Sequence, residues 1–314
     1  MTDLPFRFVA TDDDAGRIDA ALVRRFPGTS RKRVAALFDD RCVRVGGRLA
    51  KKGDLVNAGD EVELQRLPAT DEDFRPTPDQ TAADGLEFIF QSDDYVAINK
   101  PAGMRSQPLK VGELGTAASA IAARFPECAA VGGDPRDGGL VHRLDTGTTG
   151  VLIAARHQTA WQQLRDAFAS HRVQKTYIAF VERMPVSRSI DVPLLQRGNR
   201  SVVDHAEGLS ASTQVIEAVQ VQDGVLLRVE ARTGRMHQVR AHLAAVDAPI
   251  IGDTLYGGRT DDGFTGFFLH AASLRAELTQ PLALAARMPA DRLARLRAAG
   301  APASHYANPI EAFE

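Results

Sequence analysis

The sequence is poor in cysteine and contains no long hydrophobic run. Its two cysteines, Cys42 and Cys128, lack metal-ligand spacing, which argues against a disulfide framework or a cysteine-based zinc site and predicts two reduced thiols. No apolar segment approaches the ~18 residues that a membrane-spanning helix needs. The first ten residues lack the basic start and apolar centre of a signal peptide. These absences predict a cytoplasmic protein with no membrane partner.

The whole chain also has no large excess of charge of one sign, although one segment of it does. The 314 residues carry 38 Lys and Arg against 40 Asp and Glu, a net charge of −2 that does not by itself indicate a nucleic-acid partner. Residues 31–52 nevertheless hold eight basic and two acidic residues, a local balance of +6. We expect this patch to bind an anion, and a merely solvated basic face is the alternative.

Two short helices are predicted next to this patch. The first carries apolar residues within 18–22, and the second is expected to begin after Ser30, a good N-cap residue. The first turn of the second helix would then hold three adjacent cations, at residues 31–33. Because the start of a helix is its positive end, cations there point to an external anion.

The chain is predicted to have an α+β fold in two units. Residues 1–67 form a small unit, and residues 68–85, which are acidic and contain three prolines, are typical of a linker. Residues 86–287 alternate between strand and helix patterns, with a hairpin whose Asp223-Gly224 dipeptide favours a type I′ turn. Residues 288–314 are expected to form a short basic helix and a loose tail.

One aspartate stands between two basic side chains and a tight glycine turn. Asp145 follows His142 and Arg143 and precedes residues 146–150, a predicted turn-rich connection between a short strand and a buried strand. We place the chemistry of the protein here. The alternative is that Asp145 only accepts backbone N–H bonds in the turn and that Arg143 is a solvated neighbour.

A second group of polar residues follows the hairpin, within 233–243. If this segment is helical throughout, at ~100° per residue, two polar stripes flank its apolar face, namely Arg235, Gln238 and His242 on one side and His237 and Arg240 on the other. An arginine at the edge of a core can pair with a carboxylate in a cleft. An ordinary amphipathic helix is the alternative. The two histidines are five residues apart and do not share a face, so no metal site is predicted.

Tyr177 and Lys100 carry weaker signals. Tyr177 lies in an apolar strand pattern, where a tyrosine usually packs its ring and finds one partner for its hydroxyl. Lys100 precedes Pro101 in a plain turn, where an exposed lysine is expected. Either residue alone would be structural.

Taken together, six blocks of the sequence resemble the RluA family of RNA pseudouridine synthases, in the order of that family. They are NKPAGM at 99–104, HRLD at 142–145, KTYIA at 175–179, GRMHQVRAHL at 234–243, GDTLYG at 252–257 and LHA at 269–271. The first unit resembles an S4 RNA-binding domain in four short blocks, at residues 17–19, 30–31, 43–47 and 59–62.

The resemblance implies a fold and a reaction. The fold is a small N-terminal S4-like α/β module followed by a catalytic domain with a mixed, mainly antiparallel sheet flanked by helices. The reaction isomerises uridine to pseudouridine without a cofactor: the N-glycosidic bond breaks, the uracil turns, and its C5 bonds to C1′. Asp145 would attack C1′ or abstract a ribose proton, and the sequence leaves both routes open.

The resemblance also implies roles for the other residues. Arg235 would pair with Asp145, and Tyr177 would stack on the uracil and assist removal of the C5 proton. His142 and Arg143 would fill the gap left by the flipped nucleotide or hold its phosphate. Further substrate contacts are implied for Lys100, Lys175, His237, Gln238 and Arg240. RNA contacts in the S4-like module are implied for Arg17, Ser30, Arg31, Lys32, Arg33, Arg44 and Lys51.

Alternatives remain at this stage. We expect large-subunit ribosomal RNA as the target and a monomeric enzyme, with transfer RNA as the alternative substrate. The tripeptide Asp-Thr-Gly at 145–147 is also the signature of aspartic proteases, which need two carboxylates that share a proton. A third interpretation is an RNA-binding assembly factor that no longer uses its catalytic residues.

Overall fold

The computed structural model describes residues 4–306, which contain seven α-helices and seventeen strands. The helices are α1 Ile18–Arg25, α2 Arg31–Asp39, α3 Gln80–Asp84, α4 Ala117–Arg124, α5 Gln158–Ala169, α6 Gln238–Ala245 and α7 Ala290–Ala298. The strands are β1 Phe6–Val9, β2 Gly16–Arg17, β3 Val43–Val45, β4 Arg48–Leu49, β5 Leu55–Val56, β6 Glu61–Leu64, β7 Glu87–Gln91, β8 Tyr95–Lys100, β9 Thr149–Ala155, β10 Val173–Val181, β11 Ser189–Ile190, β12 Leu194–Arg197, β13 Arg200–Val203, β14 Thr213–Val221, β15 Gly224–Ala231, β16 Leu269–Ala276 and β17 Leu282–Ala285. No helix within residues 4–306 is long and apolar enough to cross a membrane.

The chain divides into two units. The first comprises the described residues up to Arg75 together with Leu109–Gly112. It contains a sheet in the order β1-β6-β3-β4 and the separate pair β2-β5. Apolar residues of α1 and α2 pack with this sheet in one core. The Ser30 hydroxyl accepts a hydrogen bond from the backbone N–H of Arg33, so the predicted cap and both predicted helices are confirmed.

The predicted linker, residues 68–85, contains more regular structure than expected. A 3₁₀ turn occupies Glu72–Phe74, and Gln80–Asp84 forms α3. Asp79 caps α3, because its carboxylate accepts a hydrogen bond from the backbone N–H of Ala82. Helix α3 belongs to the second unit, which begins at Pro76. The boundary between the two units thus falls inside the predicted linker, and the second half of that segment holds a capped helical turn.

The second unit is built around one large sheet. Within the described residues its strands follow the order β11-β14-β15-β10-β16-β9-β8-β7, and β17 pairs with β16. Strands β9 and β16 run parallel, and the other neighbours run antiparallel. Side chains of α4 and of α5 pack with sheet residues in two separate core clusters. A mixed, mainly antiparallel sheet flanked by helices confirms the predicted α+β class.

The predicted hairpin is present, but its turn differs. Val221 pairs with Gly224 across β14 and β15, so the turn residues are Gln222 and Asp223. Of these two, only Asp223 has a positive φ, of 66°. A type I′ turn needs positive φ at both positions, so the predicted turn type was wrong.

The last helix is an integral part of the second unit. In α7, Leu296 is fully buried and packs in the same core as β10 and β15 residues. The predicted short basic helix is present, and its Arg292 is also buried. The predicted loose tail lies partly outside the described residues, which end at 306.

Candidate active site

Asp145 lies in a large cleft of the second unit. It precedes β9, and the loop that carries it, residues 142–148, is called the Asp145 loop below. The cleft measures about 920 Å³ and is lined by this loop, by β10 and by the segment before α6. That volume is sufficient for a nucleotide. The Asp145 side chain keeps 16% of its surface exposed, so it is accessible from the cleft.

The counter-ion of Asp145 is Arg240. Nη1 of Arg240 donates to Oδ2 of Asp145 at 3.0 Å. Nε and Nη2 of the same guanidinium donate to both carboxylate oxygens of Asp253 at 2.7 and 2.8 Å. Burial lowers the pKa of Arg240, but hydrogen bonds and charges from Asp253 and Asp145 outweigh it and raise the pKa above its ordinary value. One guanidinium therefore bridges two carboxylates.

The predicted pair between Asp145 and Arg235 is not formed. Arg235 is exposed, and its Nε donates to the backbone carbonyl of Ser210. The reason is that α6 begins at Gln238, after His237 in the left-handed region with φ 53°. Residues 233–237 precede the helix, so a helical wheel extended to Arg235 misplaced it. Arg240, on the first turn of α6, has the position that was assigned to Arg235.

Three residues of this cluster had no role assigned from the sequence. Asp253 is almost fully buried and fixes two of the Arg240 nitrogens. The rings of Phe267 and Tyr256 lie 4.2 and 5.0 Å from the Arg240 guanidinium carbon. The GDTLYG block at 252–257 was a signal for Asp253 and Tyr256, but nothing in its pattern indicated contact with Arg240. Asp253 and Asp145 do not share a proton in the manner of an aspartic protease, because Arg240 bridges them.

Lys100 is inside the fold rather than at the surface. It is fully buried, and its Nζ donates to the carbonyls of Pro101, Met104 and Thr146 at 2.8–3.3 Å. Burial lowers its pKa to about 7, although the charge of Asp145 acts in the opposite direction. The predicted substrate contact was wrong for this residue. Lys100 holds the Asp145 loop through Thr146 instead.

His142 is also structural. Its Nε2 accepts a hydrogen bond from the backbone N–H of Ile153, and its ring stacks on Phe168 at 5.2 Å. Burial, and secondly the charge of Lys175, lower its pKa to about 3, so the imidazole is neutral at pH 7. A neutral ring that accepts a backbone hydrogen bond offers no positive charge to a phosphate. The neutral ring argues against the predicted phosphate contact, and the alternative that His142 fills the gap left by the flipped nucleotide stays a prediction.

Gln238 is fully occupied by internal hydrogen bonds. Its Oε1 accepts from the Thr233 hydroxyl and the Arg235 backbone N–H. Its Nε2 donates to the Ser212 carbonyl and the Thr213 hydroxyl. The amide ties the segment before α6 to β14, and it is buried, which contradicts the predicted substrate contact.

The remaining predicted residues line the cleft, as do His142, Arg235 and Gln238. Tyr177 projects from β10, and burial followed by the charge of Asp145 raises the pKa of its hydroxyl. Nε2 of His237 lies 3.8 Å from Oδ1 of Asp145, and burial lowers the His237 pKa. Arg143 is exposed at the rim. Nζ of Lys175 donates to the Thr233 carbonyl, and burial lowers its pKa to about 8.

In the first unit, only part of the predicted RNA-binding set faces solvent without competing ion pairs. Arg17 pairs with Asp19 through two hydrogen bonds of 3.0 Å. Arg33 pairs with Asp71 and covers the Phe74 ring, so its charge already has an acceptor within the first unit, and its phosphate contact stays a prediction. Of the predicted set, four exposed basic residues have no ion pair among the described residues, namely Arg31, Lys32, Arg44 and Lys51. Among residues 4–306, no group of three or more His, Cys, Asp or Glu side chains could hold a metal ion.

Comparison with known proteins assigns the chain to a family. Residues 94–245 match the model described as RNA pseudouridylate synthase. A Chloroflexus aurantiacus protein named "Uncharacterized RNA pseudouridine synthase" is 34% identical over 266 residues, covering 83% of this chain and 81% of the relative. The ribosomal large subunit pseudouridine synthase D of Vibrio parahaemolyticus is 30% identical over 315 residues, 94% of each chain.

A solved structure supports the same fold. The human RNA pseudouridylate synthase domain containing 4 superposes with a TM-score of 0.55 at 22% identity, covering 68% of this chain and 94% of that one. The matched family segment contains both Asp145 and Arg240. The chain therefore belongs to the RNA pseudouridylate synthase family and is an isomerase that acts on RNA.

Proposed function

We propose that Asp145 is the catalytic carboxylate of this isomerase and that it reacts with the ribose of a uridine flipped into the cleft. The observation that carries the proposal is the chain of contacts Asp145–Arg240–Asp253 at the edge of the cleft. Arg240 binds Oδ2, and Oδ1 is left 3.8 Å from His237. One oxygen is thus oriented by a charge-assisted hydrogen bond and the other can approach the substrate.

A single-turnover assay tests this role. Asp145→Asn should form no pseudouridine in its target RNA, because the amide is neither a nucleophile nor a base. The variant should still fold, since Arg240 keeps its two hydrogen bonds to Asp253. Asp166→Asn, an exposed carboxylate on α5, is the matched control and should keep full activity. Pseudouridine formation by Asp145→Asn would contradict the assignment.

Asp145 has two chemical routes, and they differ in the bond that breaks at the ribose. Attack on C1′ forms a bond between Oδ1 and C1′ as the glycosidic bond breaks, and no ribose C–H bond is broken. Abstraction of a ribose proton breaks a C–H bond. RNA deuterated on its ribose carbons separates the routes: a primary isotope effect on the single-turnover rate supports abstraction, and its absence supports attack.

We further propose that Tyr177 stacks on the uracil and assists loss of the C5 proton. Its position on β10, beside Asp145 in the cleft, supports the stacking role. Tyr177→Phe keeps the ring and removes the hydroxyl. RNA affinity should be retained, while deuterium at C5 should slow this variant more than the wild type. Unchanged kinetics of Tyr177→Phe would leave the hydroxyl without a role.

The cations at the cleft rim are proposed to bind phosphates on either side of the flipped uridine. Arg143 and Arg235 are both exposed and line the cleft, and Lys175 also lines it, with its Nζ donating to the Thr233 carbonyl. Arg143→Ala and Arg235→Ala should each raise the RNA dissociation constant and reduce its salt dependence by about one unit of slope. The single-turnover rate at saturating RNA should change little.

We propose large-subunit ribosomal RNA as the substrate. The support is that relatives from Vibrio parahaemolyticus and other bacteria are named ribosomal large subunit pseudouridine synthase D. Mapping of pseudouridine in ribosomal and transfer RNA from cells with and without the gene tests the proposal. Loss of sites confined to transfer RNA would favour the alternative. Such a substrate implies a cytoplasmic location, and the expectation of a monomer is checked by light scattering after gel filtration.

The first unit is proposed to be an S4-like module that binds the RNA backbone. Its exposed cations Arg31 and Lys32, in the first turn of α2, support this role because they lie at the positive helix end without an ion pair. Replacing both with glutamate should lower RNA affinity and reduce the slope of log affinity against log salt by about two. Arg297→Glu, exposed on α7, is the control. An unchanged slope would contradict the module's role.

A further inference from the structure

Arg292 is a buried cation that the proposed chemistry does not use. It lies on α7, outside the matched family segment 94–245, and is 1% exposed. Burying a guanidinium is costly, and burial lowers the pKa of Arg292. Its Nε also has no acceptor among the described residues. An apolar side chain of similar length would fill the same space at lower cost, so the hydrogen bonds of this guanidinium need an explanation.

Those hydrogen bonds converge on the active site. Nη2 of Arg292 donates to the carbonyls of Gly147, Thr265 and Phe267 at 3.2, 3.1 and 3.0 Å. Gly147 is part of the Asp145 loop, two residues after the carboxylate. Phe267 is the residue whose ring lies 4.2 Å from the guanidinium carbon of Arg240. Arg292 therefore contacts the loop that carries Asp145 and the backbone of the residue whose ring covers the counter-ion.

The contact between Gly147 and Phe267 is close. A Cβ at Gly147 would lie 2.6 Å from the Phe267 ring, so the loop and the ring are packed without spare space. Because Arg292 binds the carbonyl of each, a shift of either backbone would stretch at least one of its hydrogen bonds. A single side chain thereby fixes the positions of the loop and of Phe267 relative to each other.

We propose that Arg292 is a positioning residue, which fixes the Asp145 loop and Phe267 relative to Arg240 and makes helix α7 part of the catalytic apparatus. This inference rests on the proposed role of Asp145. A displacement of a reacting group by about 1 Å can cost 10²-fold in rate. Loss of the Arg292 contacts should therefore reduce the rate of the chemical step and leave RNA binding intact, since Arg292 does not line the cleft.

The test compares Arg292→Met with Arg295→Met in the full chain, using single-turnover kinetics on the RNA substrate. Arg295 lies on the same helix, is also largely buried, and pairs with Asp261 rather than with the Asp145 loop. Arg292→Met should lower the rate at saturating RNA by 10- to 100-fold with a dissociation constant within 2-fold of wild type. Arg295→Met should leave both within 2-fold.

A conservative variant covers the case in which Arg292→Met does not fold. Arg292→Lys retains the charge and can still donate to a carbonyl, so it should keep the fold and recover part of the rate. Full activity in a folded Arg292→Met or Arg292→Lys protein would overturn the proposal. So would an equal loss in Arg295→Met at equal thermal stability, because that result indicates a general effect of α7.

Asp145→Asn in the same assay separates this inference from the proposed function. If Asp145→Asn remains active, the proposed function fails and the role of Arg292 fails with it. If Asp145→Asn is inactive and Arg292→Met has the wild-type rate, only the positioning role is refuted.

Discussion

Replacement of Arg240 by methionine tests which arginine serves Asp145. The change removes three N–H···O hydrogen bonds, two to Asp253 at 2.7 and 2.8 Å and one to Asp145 at 3.0 Å. Asp253, with a side chain only 1% exposed, would be left without its counter-ion. Breaking a buried pair in this way costs about 3–5 kcal/mol. The free energy of unfolding of Arg240→Met, measured in urea, should fall by that amount.

The same replacement should slow the reaction in the molecules that remain folded. The hydrogen bond from Arg240 orients Asp145, and a hydrogen bond to a charged group contributes about 1.5–3 kcal/mol. If that contribution is realised in the transition state, the single-turnover rate should fall about 10- to 150-fold. The assay is release of tritium from RNA labelled at uridine C5, because C5 exchanges its hydrogen for the bond to C1′.

Arg235→Met is the matched control. Arg235 is exposed, and its one side-chain hydrogen bond goes to the Ser210 carbonyl. A neutral acceptor at the surface contributes about 1 kcal/mol or less, so stability should hardly change and the rate at saturating RNA should fall less than about 5-fold. A larger loss in Arg235→Met than in Arg240→Met would refute the assignment of the counter-ion. Arg240→Lys should have a stability and a rate between those of the wild type and Arg240→Met, since an ammonium cannot form the bidentate contact with Asp253.

Three further predictions concern the fold around the site. Gly150→Ala should lower the free energy of unfolding by at least about 3 kcal/mol, because Gly150 has φ 112° and an added Cβ would collide with the backbone of Ala271 in β16; a urea midpoint equal to wild type would contradict it. The pKa of His142 is about 3 in the fold and ~6.5 in the unfolded chain. The unfolded chain therefore binds the extra proton between these values, so His142 alone should lower the free energy of unfolding by about 2 kcal/mol from pH 7 to pH 5, and the total fall should be smaller in His142→Gln. Asp253→Asn should fold but have a lower single-turnover rate, because the Arg240 guanidinium loses the carboxylate that binds two of its nitrogens. Equal rates for Asp253→Asn and the wild type would show that Asp253 does not orient Arg240.

The sequence predicted which segments meet at the site, because motif blocks and periodic patterns are local properties. Asp145 was expected at the end of a loop before a buried strand, and Tyr177 inside a strand, and both have these positions. The Ser30 cap was predicted for the same reason, since a cap depends on neighbouring residues alone. The antiparallel character of the sheet followed from the resemblance.

The sequence could not predict which polar atoms meet, because that depends on backbone geometry and distant segments. Arg235 and Arg240 flank the same apolar stripe on a helical wheel, and only the left-handed conformation of His237 shows that the helix begins after Arg235. Lys100 and Gln238 were expected to meet substrate because they lie in motif blocks. Their donors face backbone carbonyls and hydroxyls instead, which no sequence pattern reveals.

Three consecutive residues at the site are each held by a different buried basic side chain. Arg240 of α6 binds the carboxylate of Asp145, Lys100 at the end of β8 binds the carbonyl of Thr146, and Arg292 of α7 binds the carbonyl of Gly147. Each basic side chain is costly to bury, and an ordinary surface turn would need none of them. Since the three come from separate segments, displacement of any one segment would strain the same loop, and their contributions should not be additive. The position of Asp145 thus depends on contacts from three separate segments of the second unit.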